Sequence, residues 1–150
     1  MKIDLTDPKF MSSIVGRNWY YCFNADCPRT GECVRFLATK FKPKDVTCGC
    51  AIYPDATLDG PCKHFCRVIV VKTAWGLSHL YDDVKHKDAH IMKYAVMNAM
   101  GSRTSYYRIN RGEKHLFPEG QEAVKQVFAD YGYGEPRYDY YGEEISFKYD

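Results

Sequence analysis

Seven cysteines are the residues of this chain best suited to chemistry, and all of them lie between Cys22 and Cys66. Thiolate sulfur is a soft ligand that favours Zn²⁺ or an iron–sulfur cluster over Mg²⁺ or Ca²⁺. The loops around the cysteines are broken by proline and glycine and hold few apolar side chains, so a four-coordinate ion would supply the order that they lack. We therefore predict zinc as the cofactor, with a [4Fe-4S] cluster as the alternative, since both accept four thiolates. The spacings are Cys22-x4-Cys27-x5-Cys33, Cys48-x-Cys50 and Cys62-x3-Cys66.

The predicted ligands come from two segments of the chain. Cys22, Cys27 and Cys33 flank one turn and the start of a predicted helix, so their sulfurs can converge on one ion. The fourth ligand is expected from the turn that holds Cys62 and Cys66, with Cys62 as the first choice and Cys66 as the second.

Other roles for the cysteines are weaker interpretations. Cys48 and Cys50 would share one face of an extended segment, which makes them a second pair or reserve ligands. A disulfide framework needs an even count and an oxidising compartment, whereas seven is odd and no apolar leader begins the chain. Cysteines that act only as small buried hydrophobic residues explain one or two of the seven. A nucleophilic pair of His64 with Cys62 or Cys66 would need an activated thiolate, so the sequence favours a non-catalytic protein.

The formal net charge of +2 hides a gradient along the chain. Residues 86–115 carry six Lys or Arg against two Asp or Glu, whereas residues 116–150 carry three against eight. The basic middle segment permits an anionic partner, either nucleic acid or an acidic protein, and no small-molecule substrate is indicated.

Residues 88–131 resemble the second half of a repressor-type helix-turn-helix. A helix, the turn Gly101-Ser102 and a short second helix follow one another there. The resemblance implies a recognition helix facing the DNA major groove, followed by contacts to phosphates that do not read the sequence. The alternative is a solvated basic face in an ordinary helical bundle. The implied groove-facing residues are Arg103, Thr104, Ser105 and Arg108, and the implied phosphate contacts are Arg111 and Lys114.

Three helices and two strands are predicted as the frame for these residues. Apolar residues at i, i+3, i+4 and i+7 indicate a helix over Glu32–Phe41. A second helix over Asp88–Met100 ends at a glycine, and a third follows Pro118-Glu119 and ends at Gly132. A β-branched run indicates a strand over Arg67–Thr73, and alternation indicates another over residues 145–149. The fold class is α+β, with a small cysteine-rich N-terminal half of loops and a short strand before a mainly helical C-terminal half.

These parts are expected to form a single domain over residues 1–150. Its cysteine-rich part covers about 18–73, its helical part about 78–132, and a tyrosine-rich acidic tail covers 133–150. The tail is expected to lie against the body with its hydroxyls at the surface. No apolar run approaches the ~18–20 residues of a membrane span, and without a leader the protein is expected to be cytoplasmic.

Most of residues 20–135 resembles one of the uncharacterised small bacterial families described as domains of unknown function. The resemblance implies a cytosolic bacterial protein and supplies no activity, cofactor or partner. The resulting hypothesis is a metal-binding protein whose basic segment binds nucleic acid or another acidic partner. A thiol or iron–sulfur redox protein, and a structural-zinc module for protein interaction, are the alternatives. The segments that carry the resemblance are Cys22–Pro28, Cys33–Arg35, Ala74–Val84, Tyr106–Glu113 and Gln121–Gly132.

Overall fold

The computed structural model describes residues 2–149 and combines helices with strands. Because 36% of the chain is helical and 17% is strand, the α+β class is confirmed at that level. Within the described residues, no helix has the length and apolar character needed to cross a membrane. The helices are α1 Pro8–Ile14, α2 Val34–Leu37, α3 His86–Ala99, α4 Arg103–Asn110 and α5 Pro118–Asp130, with 3₁₀ turns at Ala38–Phe41 and Pro54–Thr57. The strands are β1 Tyr21–Cys22, β2 Ala51–Ile52, β3 Cys66–Trp75 and β4 Tyr140–Tyr149.

The strands form two small sheets. β1 and β2 are parallel, with Tyr21 opposite Ala51 and Cys22 opposite Ile52, and β3 pairs with β4. Contacts divide the chain into two compact units. Of the described residues, unit 1 contains 2–70 and 145–149, and unit 2 contains Val71–Glu144. The single domain expected from the sequence stays a prediction.

Unit 1 has a small core around Met11, Tyr21 and Ala38, and most of its remaining length is loop. The helix that supplies Met11, α1, is not among the predicted helices. It begins where the Asp7 carboxylate accepts a hydrogen bond from the Lys9 backbone N–H at 3.0 Å. Such a cap, with proline in the first turn, satisfies the unpaired N–H groups of a helix start.

Unit 2 has the larger core, formed where α3 packs against α4 and α5. Met92 and Val96 on α3, Ile109 on α4 and Val124 on α5 are fully buried. Two of the predicted helices lie here, and α3 begins at His86, two residues before the predicted start. Each of the three helices is followed by a glycine at positive φ, as helix C-termini favour.

The predicted helix over Glu32–Phe41 is shorter than its apolar pattern indicates. The α-helical part is only α2, and the last turn is 3₁₀. Lys42 then takes an extended conformation, with ψ of 131°, before Pro43. A residue before proline is disfavoured in the helical region, so the helix ends there.

The last strand begins at Tyr140, five residues earlier than predicted. Gly142 lies under the Trp75 ring, where an added Cβ would be 2.9 Å from Cζ3, so the two strands approach closely at this point. Tyr140 and Tyr141 are exposed. The expectation that the tail hydroxyls lie at the surface is wrong for Tyr138, whose hydroxyl is buried without a partner among the described residues and whose pKa is raised by that burial.

Candidate functional site

Four of the five predicted metal ligands line one pocket in unit 1, which we call the cysteine pocket. These four are Cys22, Cys27, Cys33 and Cys62. The free volume between the lining residues is about 20 Å³, which is the space of about one water-sized particle. The pocket therefore collects cysteines of both predicted segments.

Local structure places each of the four cysteines at the pocket. Cys22 ends β1, and its pairing with Ile52 on β2 fixes the backbone there. Cys27 lies in a turn in which its carbonyl accepts a hydrogen bond from the Thr30 N–H at 3.3 Å. Cys33 is the N-cap of α2, and its thiol makes no capping hydrogen bond, so the sulfur is not engaged by the helix start. Cys62 lies in the turn closed by the hydrogen bond from the Phe65 N–H to the Cys62 carbonyl at 3.2 Å.

The Arg35 side chain braces the wall of the cysteine pocket. Its Nε donates to the His64 carbonyl at 2.9 Å and its Nη1 donates to the Tyr20 carbonyl at 3.2 Å. These two bonds join α2 to the segment before Cys22 and to the segment after Cys62. Because the guanidinium donates in several directions at once, one residue holds three segments of the pocket together.

The Asn24 side chain links the loop between Cys22 and Cys27 to another part of unit 1. Its Nδ2 donates to the Pro54 carbonyl at 3.4 Å, while its Oδ1 accepts a hydrogen bond from the Asp26 N–H at 3.1 Å. The loop between Cys22 and Cys27 is thereby attached to the 3₁₀ turn after β2.

The four thiols are close enough to influence one another. Burial raises the pKa of the Cys22 thiol, and its Cys33, Cys62 and Cys27 neighbours raise it further, against a hydrogen bond from the Asn24 backbone N–H that lowers it. Among the described residues, no three His, Cys, Asp or Glu side chains are already arranged as ligands of one ion. The pocket is thus a set of neighbouring thiols that must draw together to bind a metal.

The remaining cysteines lie elsewhere in unit 1. Cys66 is fully buried at the start of β3 and does not line the cysteine pocket. Burial raises the pKa of the Cys66 thiol, although Arg35 and a hydrogen bond with Tyr149 lower it. Cys48 and Cys50 are exposed and line a different pocket.

The basic residues singled out in the sequence lie on and after α4 in unit 2. Arg103, Thr104 and Arg108 on α4 are exposed, and Ser105 is half-buried. Ser105 also has a structural role, because its N–H donates to the Ser102 hydroxyl that caps α4, at 3.0 Å.

The loop after α4 cancels part of the positive charge of this segment. Arg111 makes two hydrogen bonds to Glu113, at 2.6 and 3.1 Å, and Arg108 lies 3.8 Å from the same carboxylate. Lys114 donates to the Ser105 hydroxyl at 3.2 Å. Arg103 instead lies over the Tyr107 ring, 5.7 Å from its centre.

Two residues of the cysteine pocket are absent from the sequence-based site. His64 lines the pocket beside Cys62, and Arg35 braces it. The sequence could have indicated His64, because that residue lies between two candidate ligands. No sequence pattern indicates Arg35, since its role depends on carbonyls 15 and 29 residues away.

The comparisons with known proteins assign the chain to a family but give it no activity. No curated protein and no solved structure matches it. The helix-turn-helix resemblance stays a prediction. The resemblance to a family of unknown function is confirmed, because the chain matches the family of unknown function DUF6078 over residues 5–147 and belongs to that family.

Proposed function

We propose that this protein is a cytoplasmic thiolate metal-binding protein whose cysteine pocket holds one zinc ion. The observation that supports the proposal is that Cys22, Cys27, Cys33 and Cys62, from two distant segments, line one small pocket. Four thiolates are a common ligand set for structural zinc, at Zn–S distances of about 2.3 Å. Since unit 1 is mostly loop around a small core, the binding energy of the metal would contribute directly to its folding.

The size and charge of the pocket favour zinc over an iron–sulfur cluster. The free volume of about 20 Å³ has room for one small ion, and a four-iron cluster would require the pocket to open. A Zn²⁺ ion with four thiolates carries two negative charges. Arg35 lines the same pocket and supplies positive charge that offsets part of this excess.

Protein purified in a reducing buffer is expected to contain close to one zinc per chain by elemental analysis. Cobalt substituted for zinc should give the intense thiolate-to-cobalt absorption of a four-thiolate site, because cobalt takes the same tetrahedral geometry. The number of thiols that react rapidly should rise by four when a chelator removes the ion.

A folded protein that holds neither zinc nor iron, and whose number of rapidly reacting thiols does not change with chelator, would contradict the proposal. Brown protein with iron and sulfide would instead show that the pocket opens to accept a cluster, which overturns the zinc assignment.

The exposed basic segment on and after α4 supports a second candidate function, the binding of nucleic acid. Arg103, Thr104 and Arg108 face solvent, and Lys93 adds charge beside them, 5.7 Å from the centres of the Tyr106 and Tyr107 rings. Exposed arginines next to aromatic rings are suited to phosphates, with a strong dependence of affinity on salt.

The double variant Arg103→Ala, Arg108→Ala is expected to weaken binding to duplex DNA and to lower the slope of log K against log salt by about 1.8, for two lost phosphate contacts. Fluorescence anisotropy across a salt series measures both. A charge-matched control is Lys125→Ala with Arg137→Ala, since these residues pair with Glu135 and Asp83 away from α4. An unmutated protein that does not bind duplex at low salt would remove this function.

A further inference from the structure

Cys48 and Cys50 lie in a second pocket of unit 1 that the proposed zinc site does not use. This pocket, which we call the dithiol pocket, has a volume of about 540 Å³. Both thiols are exposed and neither forms a disulfide. Two free thiols separated by one residue lie at the edge of this cavity, which leaves room for a small molecule beside them.

The backbone is held by a hydrogen bond at Cys50 and lies in a bend at Cys48. The Cys50 carbonyl accepts a hydrogen bond from the Tyr21 N–H at 3.3 Å, which attaches Cys50 to the start of β1. Cys48 lies in a bend, and Gly49 has no atom within 4 Å of the position where a Cβ would stand. Closure of a disulfide between the two requires the backbone at Cys48 and Gly49 to turn toward Cys50, and the space around Gly49 does not obstruct that movement.

The walls of the dithiol pocket are aromatic and basic. Trp19, Tyr20 and Phe23 line it, together with Arg17 and Lys42, and none of the described residues that line it is acidic. The Lys42 ammonium donates to the Pro43 and Val46 carbonyls, which carry no charge and leave its positive charge available. Arg17 lies 3.7 Å from Asp45, and both side chains are strongly exposed, so this pair is weak.

We propose that Cys48 and Cys50 form a thiol–disulfide exchange pair that reduces small anionic disulfides bound in the dithiol pocket. The aromatic walls would pack against the apolar part of such a molecule, and Lys42 with Arg17 would bind its carboxylates. This inference is independent of the zinc site, because the two pockets share no cysteine.

The exchange proceeds in two balanced steps. One thiolate of the pair attacks a sulfur of the incoming disulfide, whose S–S bond breaks, and the departing half takes up the proton that the attacking thiol released. The second thiol loses its proton and attacks the protein sulfur of the mixed disulfide, which forms the Cys48–Cys50 bond and releases the other half as a thiol. The small disulfide gains two electrons and two protons, and the protein loses both.

The test uses glutathione disulfide, which is anionic, and cystamine, which is cationic, on the reduced full chain. With glutathione disulfide the protein is expected to lose the mass of two hydrogens without keeping an adduct. Cleavage before aspartates releases residues 45–54, in which Cys48 and Cys50 are the only cysteines, so the new bond can be located. Either Cys48→Ser or Cys50→Ser should stop the reaction at a stable mixed disulfide on the remaining thiol.

Charge variants test the pocket itself. Lys42→Gln is expected to slow the reaction with glutathione disulfide by about threefold to fivefold, the effect of one solvent-accessible charge pair, and to leave cystamine no slower. Lys44→Gln removes the same charge from a residue that does not line the pocket and is expected to change the rate less. Oxidation spread over all seven cysteines, a wild-type protein that keeps the glutathione adduct, or equal slowing by both lysine variants would overturn the proposal.

Discussion

Serine in place of any one of Cys22, Cys27, Cys33 and Cys62 is expected to lower the zinc affinity of the protein about 100-fold or more. Structural zinc binds with roughly 10–16 kcal/mol, so one of four thiolates accounts for about 3 kcal/mol. If free zinc exceeds the wild-type Kd about 100-fold, the same substitution should remove up to about 2.7 kcal/mol of the stability that zinc gives to unit 1. Competition with a chromophoric chelator measures the affinity, and denaturant unfolding with and without zinc measures the stability.

The other cysteines provide the matched controls for this prediction. Cys48→Ser and Cys50→Ser change exposed thiols outside the cysteine pocket and should leave zinc affinity unchanged. Cys66→Ala removes a buried thiol, so it should lower stability equally with zinc and with chelator. The ligand assignment fails if Cys66→Ala lowers zinc affinity and Cys62→Ser does not. It also fails if the four pocket variants lose the same stability in the presence of chelator as in zinc, since that is the behaviour of packing residues.

Most of the candidate site is predictable from the sequence because it depends on local spacing. Cys22, Cys27 and Cys33 flank one turn and one helix start, and the structure places all three at one pocket. The choice between Cys62 and Cys66 depends instead on where β3 begins. Since β3 starts at Cys66, that side chain is fixed by the strand and buried beside Tyr149, whereas Cys62 remains in the turn that reaches the pocket.

The remaining features of the site depend on contacts between distant residues. β1 and β2 have only two residues each, which is too short for a periodic pattern, yet their pairing places Cys22 at the pocket. The separation of Cys48 and Cys50 from the other cysteines is likewise set by tertiary structure. The sequence offered them as a second pair or as reserve ligands, and the fold places them, exposed, in another pocket.

The helical frame was more predictable than the strands, and the errors have physical causes. The two predicted helices of unit 2, α3 and α5, follow apolar periodicity and end before glycines, so their ends lie within two residues of the prediction. The cap at Asp7-Pro8 is a local signal for α1 that is present in the sequence. The sequence does not indicate that β4 begins as early as Tyr140. Glycine weakens a strand locally, so the place of Gly142 in β4 depends on its tertiary contact with the Trp75 ring.

Gly76→Ala is expected to destabilise unit 2 by about 2.5–5 kcal/mol. Gly76 has a φ of +76°, which costs an alanine about 1–2 kcal/mol. A methyl group there would also lie 2.7 Å from Cβ and Oδ2 of Asp139, so that side chain must move. The Asp139 carboxylate accepts hydrogen bonds from the Ser78 N–H at 2.9 Å and the His79 N–H at 3.3 Å, and their loss adds about 1.5–3 kcal/mol.

Gly132→Ala separates the backbone cost from the cost of the contact with Asp139. The φ of Gly132, +78°, is nearly the same as that of Gly76, and no atom lies within 4 Å of the added methyl group. It should therefore cost only the backbone part, about 1–2 kcal/mol, in denaturant unfolding monitored by circular dichroism. The excess cost of Gly76→Ala should disappear when Asp139 is replaced by glycine, since the clash and the hydrogen bonds are then already gone. Equal costs for the two alanine variants would show that the Asp139 contact does not stabilise the turn. If Gly76→Ala still cost more than Gly132→Ala after Asp139 was replaced, the close approach of Gly76 to the Asp139 side chain would not explain the difference.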